Sequence, residues 1–351
     1  MANRALEGAQ VIDFTHDQLP GRVVFGAGRR RDAPAELDAL GASRVLVIGG
    51  SHESSTVDEL VAGIGFPADT IIGVRPHVPA DTVRDALAVL DRSGADVVVA
   101  VGGGSATGLG KMLALQRDVG LLAIPTTYAG SEMTPIWGTT EDGVKRTGRS
   151  VRVLPATVIY DPELTLGLPP SVTVNSAFNA LAHCLEALWL PDTSPITVGA
   201  SVEAITSIVS AVSDVSRRPD DVEARARLLY GAHRAGSVLA SAGTGLLHRT
   251  AHVLGGMYGL DHGAIYAVLT PPMVDHHLAA LPQVRARLTD ALGPDPQGVL
   301  VELARRLGAP RSLAAIGFPA DELAAAADAV AQHAAVPATT VEPLLTAVLT
   351  T

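Results

Sequence analysis

Four histidines stand at spacings that could do chemistry. His183 lies in the helical pattern NSAFNALAHCLEALW, with Asn179 one turn before it, so both point to one face. His248 and His252 repeat the i, i+4 interval in LLHRTAHVLGG, and His262 follows in the loop LDHG. Imidazoles titrate near neutrality and ligate divalent metals, so such a set is raw material for proton transfer or for a metal site. A single histidine on an apolar helix is more often a satisfied core residue. Several polar groups converging from Ala-rich helices need partners, because burying each without one costs about 1 to 3 kcal/mol.

A second constellation is glycine-rich. In VVVAVGGGSATGLGK, residues Gly102, Gly103, Gly104 and Ser105 follow an apolar, strand-like run and precede a helical one. Glycines let a phosphate approach the backbone, and free amides at a helix N-terminus meet its negative charge. The string is not a P-loop, since Ser105 stands where that motif needs its first glycine and Met112 follows Lys111. It also departs from the usual dinucleotide fingerprint, with Thr107 at the third-glycine position. A tight strand-to-helix turn without a ligand is the competing reading. The strand RVLVIGG ends in Gly49, Gly50 and Ser51, with no carboxylate to hold the adenosine ribose and exclude a 2'-phosphate, which leaves both NADH and NADPH open. Glu53 and Asp58 nearby read as exposed helix-capping charges.

The elements that must position these groups alternate in the first half of the chain. Strand patterns at Arg22 to Gly26, Arg44 to Gly49, Thr70 to Val74, Asp96 to Val101 and Leu121 to Pro125 are interleaved with helices that include Asp81 to Ser93 and Thr107 to Leu115. Uninterrupted apolar strands in β-α-β order predict a parallel sheet covered on both faces. Tyr128 to Pro155 reads as a β-hairpin or long loop. Beyond Asp161 helical patterns dominate, broken at Pro191, at Pro271 and Pro272, and near Gly293 to Pro296, with Leu323 to Ala335 read as helix. The expected fold is an α/β N-terminal domain with a parallel Rossmann-like sheet (1–161) and an all-α C-terminal domain carrying the histidines (162–351).

Bulk properties narrow the function classes. A chain of 351 residues exceeds one compact core, and 47% hydrophobic with 3% aromatic residues suits helices packed closely on a sheet. A net charge of -10 with both signs interspersed argues against nucleic acid, and Arg29 to Arg31 read as a solvated helix start. Cys184 is the one cysteine, so no intrachain disulfide forms and a cytoplasmic setting is expected. Arg4, Glu7 and Asp13 break any secretory core, and Ile196 to Val212 carries Ser, Thr and Glu, so no membrane span is expected.

The histidine arrangement resembles the iron-type alcohol dehydrogenases, in which a helix supplies an aspartate and a histidine four residues apart and two later histidines complete a metal site. Asn179 falls at the aspartate position, with His183, His248 and His262 at the other ligand positions and His252 at that of an additional active-site histidine. A neutral amide in place of the only anionic ligand removes charge that a cation needs, so no tightly bound metal is expected. GGGSATGLGK, IPTTYAGSEMTPIWG, RVLPATVIYDPELTLGLP and HCLEAL are similar to the maleylacetate reductase subgroup. After His262 the chain has Ala264 and Tyr266 where that subgroup carries an acidic residue and a histidine.

The resemblance implies reduction of an unsaturated keto acid such as maleylacetate, with NADH or NADPH bound by Gly102, Gly103, Gly104, Ser105, Thr126, Thr127 and Tyr128. His252 or His248 would donate to the enolate oxygen or protonate the adjacent carbon, with His183 and His262 shaping the pocket. Asn179 and Tyr266 would line the substrate side, and Lys145, Arg149 and Arg152 would face its carboxylates. The implied partner is an anionic small molecule, and a homodimer is expected from superfamily habit. Two alternatives remain open: a metal-dependent alcohol dehydrogenase, and a member repurposed for non-redox elimination or cyclisation.

Overall fold

The computed structural model describes residues 13–76, 78–141 and 144–350. In the first half, β1 (Arg22–Phe25), α1 (Ala33–Ala39), β2 (Val45–Gly49), α2 (Ser54–Gly63), β3 (Ala68–Ile72), α3 (Ala80–Ser93), β4 (Val97–Gly102), α4 (Gly104–Gln116) and β5 (Gly120–Pro125) alternate. An antiparallel hairpin, β6 (Ile136–Glu141) with β7 (Val144–Arg149), follows, and then β8 (Thr157–Tyr160). Six strands pair in parallel in the order β1-β8-β5-β4-β2-β3. VLVIG and VVVAVG are buried along their whole length because helices cover both faces, with α3 and α4 on one side and α1 and α2 on the other. The chain runs outward from β2 to β3 and returns to place β4 on the other flank of β2. Helices α2 and α4 leave on opposite faces, and the crevice between them lies at the carboxyl ends of β2 and β4.

Three sequence expectations change here. The sequence patterns mark no strand between Pro155 and Asp161, yet TVIY, β8, fills the sheet between β1 and β5, in register with Arg22 to Phe25. Arg30 is not solvated: its Nη1 donates to Asp161 at 2.7 Å and to Glu163 at 2.6 Å, and the Gly28 and Arg30 amides also donate to the buried Asp161 carboxylate. The helix expected to break at Pro271 and Pro272 runs on through both prolines. Its sides from Ile265 to Val274 are packed into the main core, and that burial outweighs the roughly 3 kcal/mol an interior proline costs.

The second half is helical: α5 (Pro170–Ala187), α6 (Pro195–Arg217), α7 (Val222–Ala242), α8 (Leu246–Tyr258), α9 (His262–Ala280), α10 (Pro282–Leu292), α11 (Pro296–Arg306), α12 (Leu323–Ala334) and α13 (Ala338–Thr346). Its core is continuous with the sheet through Ala123, Val158 and Tyr160. Among the described residues, α6 alone is long and apolar enough to cross a membrane. Its Ala204, Ile208 and Val212 stripe is buried in the bundle, and Glu203 on another face accepts from Tyr230 and Arg234. Lys111 of α4 ties the sheet domain to the strap entering the hairpin, donating to the carbonyls of Ser131, Thr134 and Ile136 and to the Thr134 hydroxyl. Burial pushes its ammonium down to about 7 against the opposing pull of Glu132.

Candidate active site

Two half-sites can be built from the chain. The first lies where β4 turns into α4. Gly102 has φ 142°, in the region that disfavours side chains, and Gly103 caps the helix without any side-chain hydrogen bond. The helix begins at Gly104, earlier than the Thr107 start read from sequence, so its first amides lack intrahelical partners. A Cβ on Gly103 would stand 2.9 Å from Thr127 Cγ2, so the cradle is as tight as a glycine backbone allows. The result is an uncapped, positively polarised helix end suited to a diphosphate.

The second half-site is built by α5, α8 and α9. Asn179 and His183 come from α5, His248 and His252 from α8, and His262 opens α9, whose start Asp261 caps by accepting from the Ala264 amide at 2.8 Å. Gly255 admits His262 against α8, since a Cβ there would meet its Nδ1 at 2.7 Å. His183 and His248 stack at 4.4 Å between ring centroids, and His252 and His262 at 5.3 Å. Tyr266 joins both pairs, 4.8 Å from His248 and 5.9 Å from His262. All four predicted histidines and Tyr266 therefore form one contiguous group, with His183 and His248 buried and His252 exposed. Asn179 is half-buried one turn before His183.

A residue with no role assigned from sequence organises this group. Glu186 is fully buried on α5 and accepts from the Leu247 amide at 2.8 Å and the His248 amide at 3.4 Å, capping α8. Its other oxygen meets His248 Nδ1 at 2.5 Å. Burial pushes its carboxyl up, but the charge and hydrogen bond of His248 with the Gly245 and Leu247 amides outweigh this and hold it below the usual range. An ionised carboxylate only accepts, so Nδ1 carries a proton toward Glu186, while Nε2 is buried without a partner. The available signal was a lone acid within the apolar string HCLEAL, one turn after His183 on the same face.

Burial, then His248 and His252, keep the His183 imidazole well below its ordinary titration range, and burial pushes His233 and His277 down to about 4. These rings are neutral in the fold, whereas unfolded histidines take up protons below about 6.5. Stability should therefore decline as pH falls from about 6.5 toward 4, with about 1.4 kcal/mol per pH unit for each such ring as the ceiling. Thermal melts across that interval check this; a flat melting temperature would show that these rings ionise freely in the fold.

Other predicted positions separate. Thr127 lines the cradle, while the Thr126 hydroxyl donates to Glu53 at 3.0 Å. Glu53 itself precedes α2 without capping it, contrary to its expected role. Tyr128 does not reach the cradle: fully buried, its hydroxyl accepts from Arg225 at 3.2 Å and donates to Thr165 at 3.1 Å, making it a core contact between the two halves. Arg149 donates to the Ala240 carbonyl at the end of α7, and Arg152 to the Arg117 carbonyl just before β5, at the sheet edge opposite Gly102. Both arginines are engaged by these backbone carbonyls, and the hairpin packs against α3 and α4, where the Thr139 hydroxyl and the Thr140 amide donate to the Val78 carbonyl. Lys145 lies in β7 with its side chain outside the described residues.

The donor set does not match a divalent cation by charge. It offers a neutral amide and three imidazoles, and the nearby carboxylate, Glu186, is engaged by α8 and His248. Among the described residues no group of three or more His, Cys, Asp or Glu is arranged to hold a metal ion.

Comparison with known proteins matches residues 20–162 to the iron-containing alcohol dehydrogenase model and residues 173–349 to the C-terminal model of the Fe-containing alcohol dehydrogenase family. The chain is 45% identical to a maleylacetate reductase of Burkholderia cepacia over 88% of each chain. It is 42% identical to one of Sphingobium indicum over 90% of each. A crystal structure of maleylacetate reductase from Agrobacterium tumefaciens superposes with a TM-score of 0.93 at 39% identity, covering 97% of this chain and 99% of that one.

Proposed function

The chain belongs to the iron-containing alcohol dehydrogenase family and is an oxidoreductase, and we propose that it reduces maleylacetate to 3-oxoadipate with NADH or NADPH and without a bound metal. The observation that carries this reading is the pairing of an uncapped amide cradle with an imidazole group that contains no free anionic ligand. The names of the relatives supply the substrate class.

The amides at the start of α4 would hold the pyrophosphate, with Gly102 and Gly103 allowing its approach and Thr127 closing the side. Reduced nicotinamide held there would supply a hydride for the carbon β to the ketone, and the substrate would be left as an enolate. The side chains then have two tasks: to stabilise the enolate oxygen and to deliver a proton to the carbon between it and the reduced centre. His252, exposed at the mouth of the group, reaches the substrate, while His248 presents Nε2 from below with Nδ1 fixed by Glu186. His183, held neutral by burial, and His262 wall the pocket. Asn179 and Tyr266 line it, and Tyr266 keeps its phenol protonated because burial, then the Glu186 charge, raise its titration well above the usual range.

The test is consumption of NADH or NADPH with maleylacetate, before and after exhaustive chelation, with elemental analysis of the purified protein. Turnover that survives chelation without stoichiometric metal is the expected result. Loss of turnover restored by a divalent cation would return the metal-dependent reading, and no nicotinamide consumption with any unsaturated keto acid would favour a non-redox role. Gly103→Ala provides a separate check on the cradle. The added Cβ crowds Thr127 and intrudes on the cradle, so overpacking should lower stability by about 1 to 3 kcal/mol, seen as a lower melting temperature, and the folded protein should bind nucleotide roughly tenfold or more weakly in calorimetry. Unchanged affinity would place the nucleotide elsewhere.

A further inference from the structure

The carboxyl edge of the sheet carries one acid that the steps above leave without a task. β2 ends at Gly49, and the short turn Ser51–Glu53 folds Glu53 back over the strand ends. Its Oε1 accepts from the Thr126 hydroxyl at 3.0 Å, at the end of β5. A Cβ on Gly102 would stand 3.6 Å from its carboxyl carbon, and a Cβ on Gly50 would collide with Oε2. The carboxylate thus lies across the mouths of β2, β4 and β5, beside the amide cradle, in space that glycine at position 50 leaves open. Thr126 fixes one oxygen toward β5, and the other faces the β2 side.

In dinucleotide-binding folds the acid at the end of the second strand accepts the adenosine ribose hydroxyls and repels a 2'-phosphate. On this strand that place is glycine, and a carboxylate from four residues further on fills the same space. Its placement owes nothing to helix capping, because it makes no cap hydrogen bond to α2. We propose that Glu53 is the specificity-determining residue for the nucleotide, accepting the adenosine ribose hydroxyls and making the site selective for NADH over NADPH. The inference rests on the nucleotide reading of the cradle and adds to it a choice between the two cofactors.

The experiment is calorimetric titration of the wild type, Glu53→Gln and Thr126→Val with NADH and NADPH, and with ADP and adenosine 2',5'-bisphosphate as probes that undergo no hydride transfer. The wild type should bind NADH at least about tenfold more tightly than NADPH, and ADP more tightly than the bisphosphate. Glu53→Gln should bring each pair to within about threefold, chiefly by tightening the 2'-phosphorylated member, with an unchanged melting temperature. Thr126→Val, which frees the carboxylate from its anchor, should fall between. Equal wild-type affinity for the two cofactors, or a ratio unmoved by Glu53→Gln while both still bind, overturns the role of Glu53 alone. Failure of all four compounds to bind the wild type overturns the nucleotide reading and this inference together.

Discussion

Replacing His252 by alanine should lower turnover of maleylacetate by about two to four orders of magnitude, the usual contribution of a positioned acid or base. Accessibility assigns it this weight. His183 and His248 are buried, and His248 is tethered through Nδ1 to Glu186, whereas His252 is exposed on α8 and stacked against His262 at the mouth of the group. The ring is exposed, so the melting temperature should fall far less than turnover, and nucleotide affinity should hold because the cradle is built by β4 and α4 rather than by α8. The loss should appear in kcat with little change in KM, as expected for a group acting in the transition state. Full turnover in a folded His252→Ala protein would remove His252 from the mechanism. A larger loss in His248→Ala, measured alongside, would move the proton transfer to the buried ring.

How much of this was legible beforehand follows from where each signal lives. The cradle and the histidine intervals are local in sequence: glycine after a buried strand and i, i+4 spacing on a helix announce geometry within a few residues. The parallel sheet was legible for the same reason, since RVLVIGG and DVVVAVG are apolar runs too short for helices and bounded by glycine. β8 was not, because the four residues of TVIY become a strand only through pairing with β1 and β5, more than a hundred residues away in the case of β1. The same limit explains Tyr128, which followed the cradle-side strand in sequence but turns into the junction with Arg225 and Thr165. Pro271 and Pro272 misled in the opposite direction, local chemistry yielding to the burial of Ile265 to Thr270, Met273 and Val274 around them. Arg149 and Arg152 were expected on a loop facing the cleft, and charge on a loop does not reveal the backbone carbonyls that engage it.

The second large effect is expected at Glu186, and it separates scaffold from chemistry. Glu186→Ala removes the acceptor for two amides at the start of α8 and for His248 Nδ1, all in a fully buried setting. Breaking a buried charged pair from one side costs about 3 to 5 kcal/mol, so this variant should melt well below wild type or fail to accumulate. Glu186→Gln keeps the shape and is the more telling change. Its amide still offers one oxygen to the helix end, but it can turn an N–H toward His248 Nδ1. Nδ1 must then accept, so the ring can no longer carry protons on both nitrogens, and the acid form that would give its Nε2 proton to the enolate is lost. Loss of a positioned acid in an otherwise intact site lowers turnover by about two to four orders of magnitude. The folded carboxylate also titrates below its ordinary value, so its contribution to stability is present above that value and fades as pH falls through the folded one. The glutamine variant should lose that portion of the acid dependence. A purely structural Glu186 predicts a lower melting temperature with normal turnover per folded molecule, whereas an orienting Glu186 predicts that turnover falls much further than stability, with NADH affinity retained. Only the second outcome is compatible with an imidazole whose proton is held ready by a buried carboxylate.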